Sequence, residues 1–195
     1  MVRIDHNKLE KNLGFKLKKN TFVLGLDTAT TTGIAMIDVT SKKIEIETDI
    51  MKIPSPQDSD NKSDEYQQKL ELLLKWVREF KKRIIAKPKN KRILILENSY
   101  LGFNAWTYGF LKMFGGLIYA ELYDYFEHIE LIFPTSARKR VGFKSLLPKG
   151  TKSKDKKAEI MTWVSKMVED EIKDDNIADA IVLALAGLRE VENEN

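Results

Sequence analysis

Three acidic residues stand at positions where apolar residues would be expected. Asp27 and Glu97 each follow a run of mostly aliphatic residues, and Asp179 lies within the apolar segment 177–188. Burying a lone carboxylate is costly unless the group is paired or bound to a metal. Three such placements in one small protein indicate a shared partner, most simply a divalent metal ion.

A fourth ligand could come from the same predicted helix as Asp179. Asp175 is four residues before Asp179 and Asn176 is three before it, and both offsets place a side chain on the same helix face. The chain has no cysteine, so the ligands would be oxygen atoms, which suit Mg²⁺ or Mn²⁺. Two such ions about 3.5–4 Å apart would activate a water and stabilise the leaving oxygen in phosphodiester hydrolysis.

Each acidic residue also has a purely structural interpretation. Asp27 could be a turn former whose side chain bonds the backbone that follows it. Asp179 could simply favour the N-terminus of its helix electrostatically, although that explanation fits Asp174 and Asp175 better because they lie at the expected cap. Glu97 is the hardest to explain in this way, because glutamate is a poor turn former.

The basic residues are unevenly distributed along the chain. The 195 residues carry a net charge of +4, and residues 1–20 alone hold six basic residues against two acidic ones. Residues 138–157 hold nine basic residues, with Asp155 as the single acidic one. Lysine-rich loops are often only solvated, but basic segments beside an acidic site also suit a polyanion that is handled with metal ions.

Composition excludes several other classes of protein. Without cysteine there is no disulfide, zinc–thiolate site or thiol nucleophile. Residues 1–6 lack the apolar core of a signal peptide, and the apolar run 177–188 is too short to span a bilayer. We therefore expect a cytoplasmic protein that makes no membrane contact.

Apolar patterns predict the elements that would position the acidic residues. Five strands are expected, at 21–28, 34–39, 42–52, 92–97 and 130–133. Four helices are expected, at 63–85, 105–125, 155–168 and 176–189. This order indicates an α/β fold whose mixed sheet has a three-strand antiparallel meander plus two parallel strands, flanked by helices. Because sites form beyond the carboxyl ends of parallel strands, Asp27 and Glu97 meet if their strands are neighbours.

The length is enough for one domain with a real core and short of two ordinary domains. We expect that domain at 21–190, with a basic arm at 1–20 before it and a tail at 191–195 after it. Within the helix at 105–125, Gly115 and Gly116 would allow close packing on a neighbouring element.

Two motifs carry a resemblance to a known family. The signature Gly25-Leu26-Asp27-x-Ala29-x-x-x-Gly33 resembles the first strand and turn of the RNase H-like superfamily. The triplet Ala178-Asp179-Ala180 heads an apolar helix, as it does in RuvC-type Holliday junction resolvases. The likeness to these resolvases covers about residues 21–188 and implies an RNase H-like fold.

The resemblance also implies roles for the acidic residues. Asp27, Glu97 and Asp179 match the family's first, second and last catalytic carboxylates. The family's remaining acidic position lies three residues before the last one and is Asn176 in this chain. Asp175, one residue earlier, could take that role instead.

Residues that contact DNA are implied in the same way. Tyr100 falls where the family has an aromatic residue that wedges into the junction, and Asn104 lies in the same region. An aromatic residue after a strand is otherwise usually part of the core. The basic segment after Pro134 resembles the family's basic segment. The expected phosphate contacts are Arg138, Lys139, Arg140, Lys144, Lys154, Lys156 and Lys157.

The activity that the resemblance implies is resolution of four-way DNA junctions by paired symmetric nicks, carried out by a DNA-associated homodimer. Two Mg²⁺ ions, for which Mn²⁺ could substitute, would be held by the matched carboxylates. Alternatives are a nuclease for RNA or other branched DNA, and a module that binds junctions without cutting them. An actin-like nucleotide-binding domain has a similar first strand, but it normally needs a second phosphate loop and a longer chain.

Overall fold

The computed structural model describes residues 1–29, 31–40, 43–53, 62–87, 91–98 and 105–193. Six strands form one sheet: β1 Val2–Ile4, β2 Thr21–Asp27, β3 Thr31–Val39, β4 Ile44–Lys52, β5 Lys91–Glu97 and β6 His128–Ile132. Their spatial order is β1-β4-β3-β2-β5-β6. The β2–β3–β4 meander is antiparallel, whereas β5 and β6 run parallel to β2. The mixed α/β sheet predicted from the sequence is therefore confirmed.

One strand more is present than the five expected. β1 lies in the segment predicted to be an arm, and it pairs antiparallel with β4, with Val2 opposite Ile46. Asp5 then caps a helix, α1 (His6–Leu13), by accepting a hydrogen bond from the backbone N–H of Lys8. Leu9 on this helix is fully buried in the core. The first residues of the chain thus pack against the sheet.

The other helices lie on the two faces of the sheet. They are α2 Lys62–Ile85, α3 Ala105–Leu122, α4 Pro134–Arg140, α5 Ser153–Val168 and α6 Asp175–Asn193, with a short 3-10 helix at Tyr123–Tyr125. Side chains at odd positions of β2, such as Val23, pack with α5 and α6, and those at even positions, such as Leu24, pack with α2 and α3. This alternation places Asp27 and Glu97 on the face covered by α6.

Helix α6 crosses the middle of the sheet at very short range, which glycines permit. A Cβ atom at Gly25 would lie 2.6 Å from the backbone nitrogen of Ala184, and one at Gly33 would collide with the carbonyl group of Asn176. Gly33 is paired with Asp27 across β2 and β3. The N-terminus of α6 is therefore held directly over the end of β2 that carries Asp27.

Helices α3 and α4 both differ from what the sequence predicted. Apart from neighbouring residues of α3, no described atom lies within 4 Å of a Cβ built on Gly115 or Gly116, so the described residues show no close packing there. Helix α4 occupies a stretch for which no helix was predicted. Over the described ranges, no helix is long and apolar enough to cross a membrane.

Candidate active site

Asp27 and Glu97 meet at the ends of neighbouring parallel strands. Leu26 and Leu96 are paired between β2 and β5, so the next residue of each strand projects from the same sheet edge. Asp27 is only 8% exposed. Burial, together with the hydrogen bond to the Glu97 carboxyl and its charge, raises the pKa of Asp27 to about 10. At neutral pH this carboxyl pair therefore holds a proton when no cation is bound.

The first turns of α6 bring two more carboxylates to this edge. The charges of Asp179 and Asp175 also raise the pKa of Asp27, with smaller effects than its burial and Glu97. Asp174 has a different task, because its Oδ1 atom accepts hydrogen bonds from the backbone N–H groups of Asn176 (2.9 Å) and Ile177 (3.2 Å). It caps the helix and so fixes the direction in which α6 starts.

Asn176 is directed away from the ligand role that its position suggests. Its side-chain Nδ2 donates a hydrogen bond to Oδ1 of Asp174 at 3.2 Å, and its backbone carbonyl lies against Gly33. Asp175, in contrast, contributes its charge to the environment of Asp27. The geometry thus favours Asp175 over Asn176 as the fourth oxygen ligand, which stays a prediction.

Two basic side chains that we expected to contact DNA instead bind the carboxylates of α6. Arg138 on α4 donates from Nη2 to Oδ1 of Asp179 at 2.7 Å. Lys157 on α5 forms an ion pair with Asp175. The hydrogen bond to Asp175 and the charges of Asp175, Asp179 and Asp27 raise the pKa of Lys157. Asp175 and Asp179 are therefore each balanced by one cation of the protein.

The donor atoms of this site fit a divalent cation, although the side chains are not gathered around one. Among the residues that the structure describes, no three Asp, Glu or His side chains converge closely enough to hold a metal ion. The candidate ligands are nevertheless all oxygen atoms, which hard cations prefer. The proton held by Asp27 and Glu97 also marks a place where positive charge is missing, and a bound cation would supply it.

The remaining predicted DNA contacts fall into three groups. Arg140 forms two 2.6 Å hydrogen bonds with Glu130 on β6, so it is held by the protein. Tyr100 and Asn104 lie outside the described residues. Four lysines are exposed, in or shortly after α4 and at the start of α5: Lys139, Lys144, Lys154 and Lys156.

Lys112 and Asn98 are two residues near the site that the sequence did not single out. Asn98 directly follows Glu97, and its side-chain oxygen accepts a hydrogen bond from Nζ of Lys112 on α3. The Lys112 ammonium also lies over the ring of Tyr108, 5.3 Å from its centroid. The sequence does carry one sign that Lys112 is unusual, because it is the only charged residue between 105 and 120.

Similarity to known proteins is found at the level of three-dimensional structure. No protein-family model matches the chain, and no curated protein matches it in sequence. The solved structure of T. thermophilus RuvC in complex with a Holliday junction substrate is similar, with a TM-score of 0.63 and 13% identity over 88% of this chain and 96% of that one. A second Thermus thermophilus RuvC structure gives a TM-score of 0.61 and 15% identity over 89% and 96%. The chain therefore has a RuvC-like, RNase H-like fold.

Proposed function

We propose that this protein is a metal-dependent endonuclease that cuts branched DNA, with the four-way junction as its substrate. The observation that carries the proposal is that Asp27 and Glu97, at the ends of two neighbouring strands, lie near Asp175 and Asp179 in the first turns of α6. Burying the Asp27 carboxyl beside Glu97 costs folding free energy, and such costs are common at functional sites. The similarity in fold to a RuvC bound to a Holliday junction supports the choice of substrate.

Asp27, Glu97, Asp179 and Asp175 would hold the metal ions. Bound Mg²⁺ would lower the pKa of a water and stabilise negative charge on the phosphate. The protein contributes the positions of these ligands: two come from rigid strand ends and two from a helix that glycine contacts lock in place. Exposed Lys154 and Lys156, near the start of α5, would bind the DNA backbone on either side of the cut.

Symmetric cutting of a four-way junction requires two active sites, so we propose a homodimer with two-fold symmetry. Sedimentation of the purified protein with and without junction DNA tests this directly. A particle of two chains on each junction is expected, and one chain on each junction would contradict paired nicking.

Nicking of a labelled mobile four-way junction in Mg²⁺ is the test of the activity. We expect symmetric nicks with 5′-phosphate ends from the wild type, and losses of about 100-fold or more in Asp27→Asn and Asp179→Asn. Asp124→Asn is the matched control, because Asp124 is exposed and lies in the 3-10 helix at the opposite end of the sheet. Full activity in Asp27→Asn would overturn the proposal.

Parallel reactions on a flap, an RNA–DNA hybrid and a linear duplex identify the substrate class. Preference for the junction by at least about tenfold, or about 1.4 kcal/mol, is expected. Faster cutting of the hybrid or the flap would instead assign the site to RNA processing or to other branched DNA.

A second candidate function is junction binding without cleavage, and the two internal ion pairs favour it. Arg138 and Lys157 already neutralise two of the four carboxylates, as they would in a site that no longer holds metal. In that case the protein would shift a junction in a gel in EDTA but would nick it in neither Mg²⁺ nor Mn²⁺.

A further inference from the structure

Arg138 is held against Asp179 by the fold. The backbone carbonyl of Arg138 accepts a 2.9 Å hydrogen bond from the N–H of Phe143. Two residues later, the Arg140 side chain is fixed to Glu130, and the Arg140 carbonyl accepts a hydrogen bond from Arg189 of α6. Helix α4 is therefore tied both to β6 and to α6, the helix that carries Asp179. The guanidinium group is presented to the site from a rigid support.

The contact is partly buried and incomplete. The side chains of Arg138 and Asp179 are 25% and 23% exposed, so solvent screens the pair only partly. One guanidinium nitrogen donates to Asp179, whereas Nε of Arg138 is buried and has no hydrogen-bond partner among the described residues. Arginine and carboxylate often form two parallel bonds, which this pair does not. Arg138 therefore holds Asp179 through a single charge-assisted hydrogen bond.

An arginine in this position competes with any metal ion for Asp179. Arginine does not act as a proton donor in proteins, so a metal ion has to move the guanidinium away from Asp179 in order to bind there. A cation that approached Oδ1 of Asp179 would meet the charge of Arg138 at hydrogen-bonding distance. The Lys157–Asp175 pair is more exposed, at 52% and 33%, and its competition is therefore weaker.

We propose that Arg138 is a built-in counter-ion that occupies Asp179 until a metal ion displaces it, and so sets the metal affinity of the site. This inference rests on the proposed function, in which Asp179 is a metal ligand. Arg138 is a positioning residue in this scheme, because it acts through Asp179.

Calorimetric titration of the full chain with Mn²⁺ alone, without DNA, tests the idea. Arg138→Gln is expected to bind Mn²⁺ about tenfold more tightly than the wild type, the size of effect expected from removing a charge-assisted hydrogen bond. Arg138→Lys, which restores the charge, is expected to return most of the way to wild-type affinity. If Arg138 only stabilises the fold, Arg138→Gln should bind Mn²⁺ more weakly than the wild type, because loosening α4 would disturb the site.

Arg78→Gln is the matched control. Arg78 on α2 forms a 3.2 Å ion pair with Glu121 on α3, on the opposite face of the sheet, so this variant removes the same charge from the protein far from the site. Its Mn²⁺ affinity is expected to equal that of the wild type. Thermal unfolding of each variant checks that the fold is intact.

A double-mutant cycle shows whether the gain acts through Asp179. The tenfold gain of Arg138→Gln is expected to vanish when Asp179→Asn is already present. The inference is overturned if Arg138→Gln binds Mn²⁺ no more tightly than the wild type, or if the gain survives without Asp179. If the wild type does not nick junctions but Arg138→Gln still binds Mn²⁺ more tightly, only the proposed function is contradicted. If the wild type nicks junctions and Arg138→Gln shows no gain in Mn²⁺ affinity, only this inference is contradicted.

Discussion

At the scale of single residues, Asp27 carries the largest electrostatic cost in the site. Its pKa rises from an ordinary 3.8 to about 10, first because it is buried and then because Glu97 is adjacent. A carboxyl whose folded pKa is raised stabilises the folded state least when pH is high. Its contribution is fully present below the unfolded pKa and is lost as pH rises from about 4 towards 10, since unfolding then releases a proton.

Asp27→Asn should therefore make the metal-free protein more stable while abolishing nicking. Asparagine keeps the shape and carries no charge, so the variant should gain on the order of 2 kcal/mol in the free energy of unfolding at pH 8, and less at pH 5. Urea unfolding in EDTA at the two pH values measures this. A variant that is equally stabilised at both pH values, or is destabilised, would show that ionisation of Asp27 does not lower the stability of the protein.

Asp175 and Asn176 should differ sharply as ligands. The amide of Asn176 is bonded to Asp174, so Asn176→Ala should change nicking by no more than about threefold, whereas Asp175→Asn should lower it about 10- to 100-fold. Initial nicking rates in saturating Mg²⁺ give the comparison. The reverse order of effects would identify Asn176 as the fourth ligand.

The acidic residues of the site could be predicted from the sequence, but their partners could not. Asp27, Glu97 and Asp179 were detectable because each interrupts an apolar pattern. Arg138 is 41 residues from Asp179 and Lys157 is 18 from Asp175, and both were predicted as DNA contacts rather than as partners of these carboxylates. Their pairing depends on how α4 and α5 dock on α6, which no local pattern encodes.

At the scale of elements, the presence or absence of a local apolar pattern explains which helices and strands were predicted. β2 and β5 are apolar over most of their length and α6 is buried almost all round, so their patterns were clear. Helix α4 has a single buried side chain, Ala137, and so lacks an apolar period. β1 has three residues and is defined by pairing with a strand about 40 residues away.

Gly33→Ala tests the close approach of α6 to the sheet. A Cβ at this position would collide with the Asn176 carbonyl, so the N-terminus of α6 would have to shift, at a cost of about 1–3 kcal/mol in the free energy of unfolding. We expect nicking to fall as well, because Asp175 and Asp179 move with the helix.

Gly116→Ala is the control for that substitution. Gly116 is exposed within α3, and no described atom outside neighbouring residues of that helix lies within 4 Å of its Cβ position. Alanine there should therefore stabilise the protein by about 0.5–1 kcal/mol. Chemical denaturation of both variants measures the difference. Equal stabilities would show that α6 can yield at Gly33 without strain.

At the scale of the whole molecule, the exposed lysines at the start of α5 should govern how DNA binding depends on salt. Each phosphate contact contributes about 0.9 to the slope of log affinity against log salt concentration. Lys154→Gln combined with Lys156→Gln should therefore lower the slope by nearly 2, for every junction sequence tested. Fluorescence anisotropy in Ca²⁺ measures the slope.

The control pair for this measurement lies on the other side of the sheet. Lys75→Gln combined with Lys82→Gln removes the same charge from exposed positions of α2. An equal loss of slope in the two double variants would mean that net charge alone, and no particular surface, attracts DNA.

The short strand β1 shields part of one edge of the sheet. It pairs with the first three of the nine residues of β4, from Ile44 to Ile46. A chain trimmed to begin at residue 21 would leave β4 with a long row of free backbone donors and acceptors, which invites pairing with a second copy. Dimers that such a trimmed chain formed through β4 would therefore say nothing about the surface that the protein uses on DNA. Assembly on DNA should be measured on the chain that keeps residues 1–20, in which Ile44 to Ile46 are already paired.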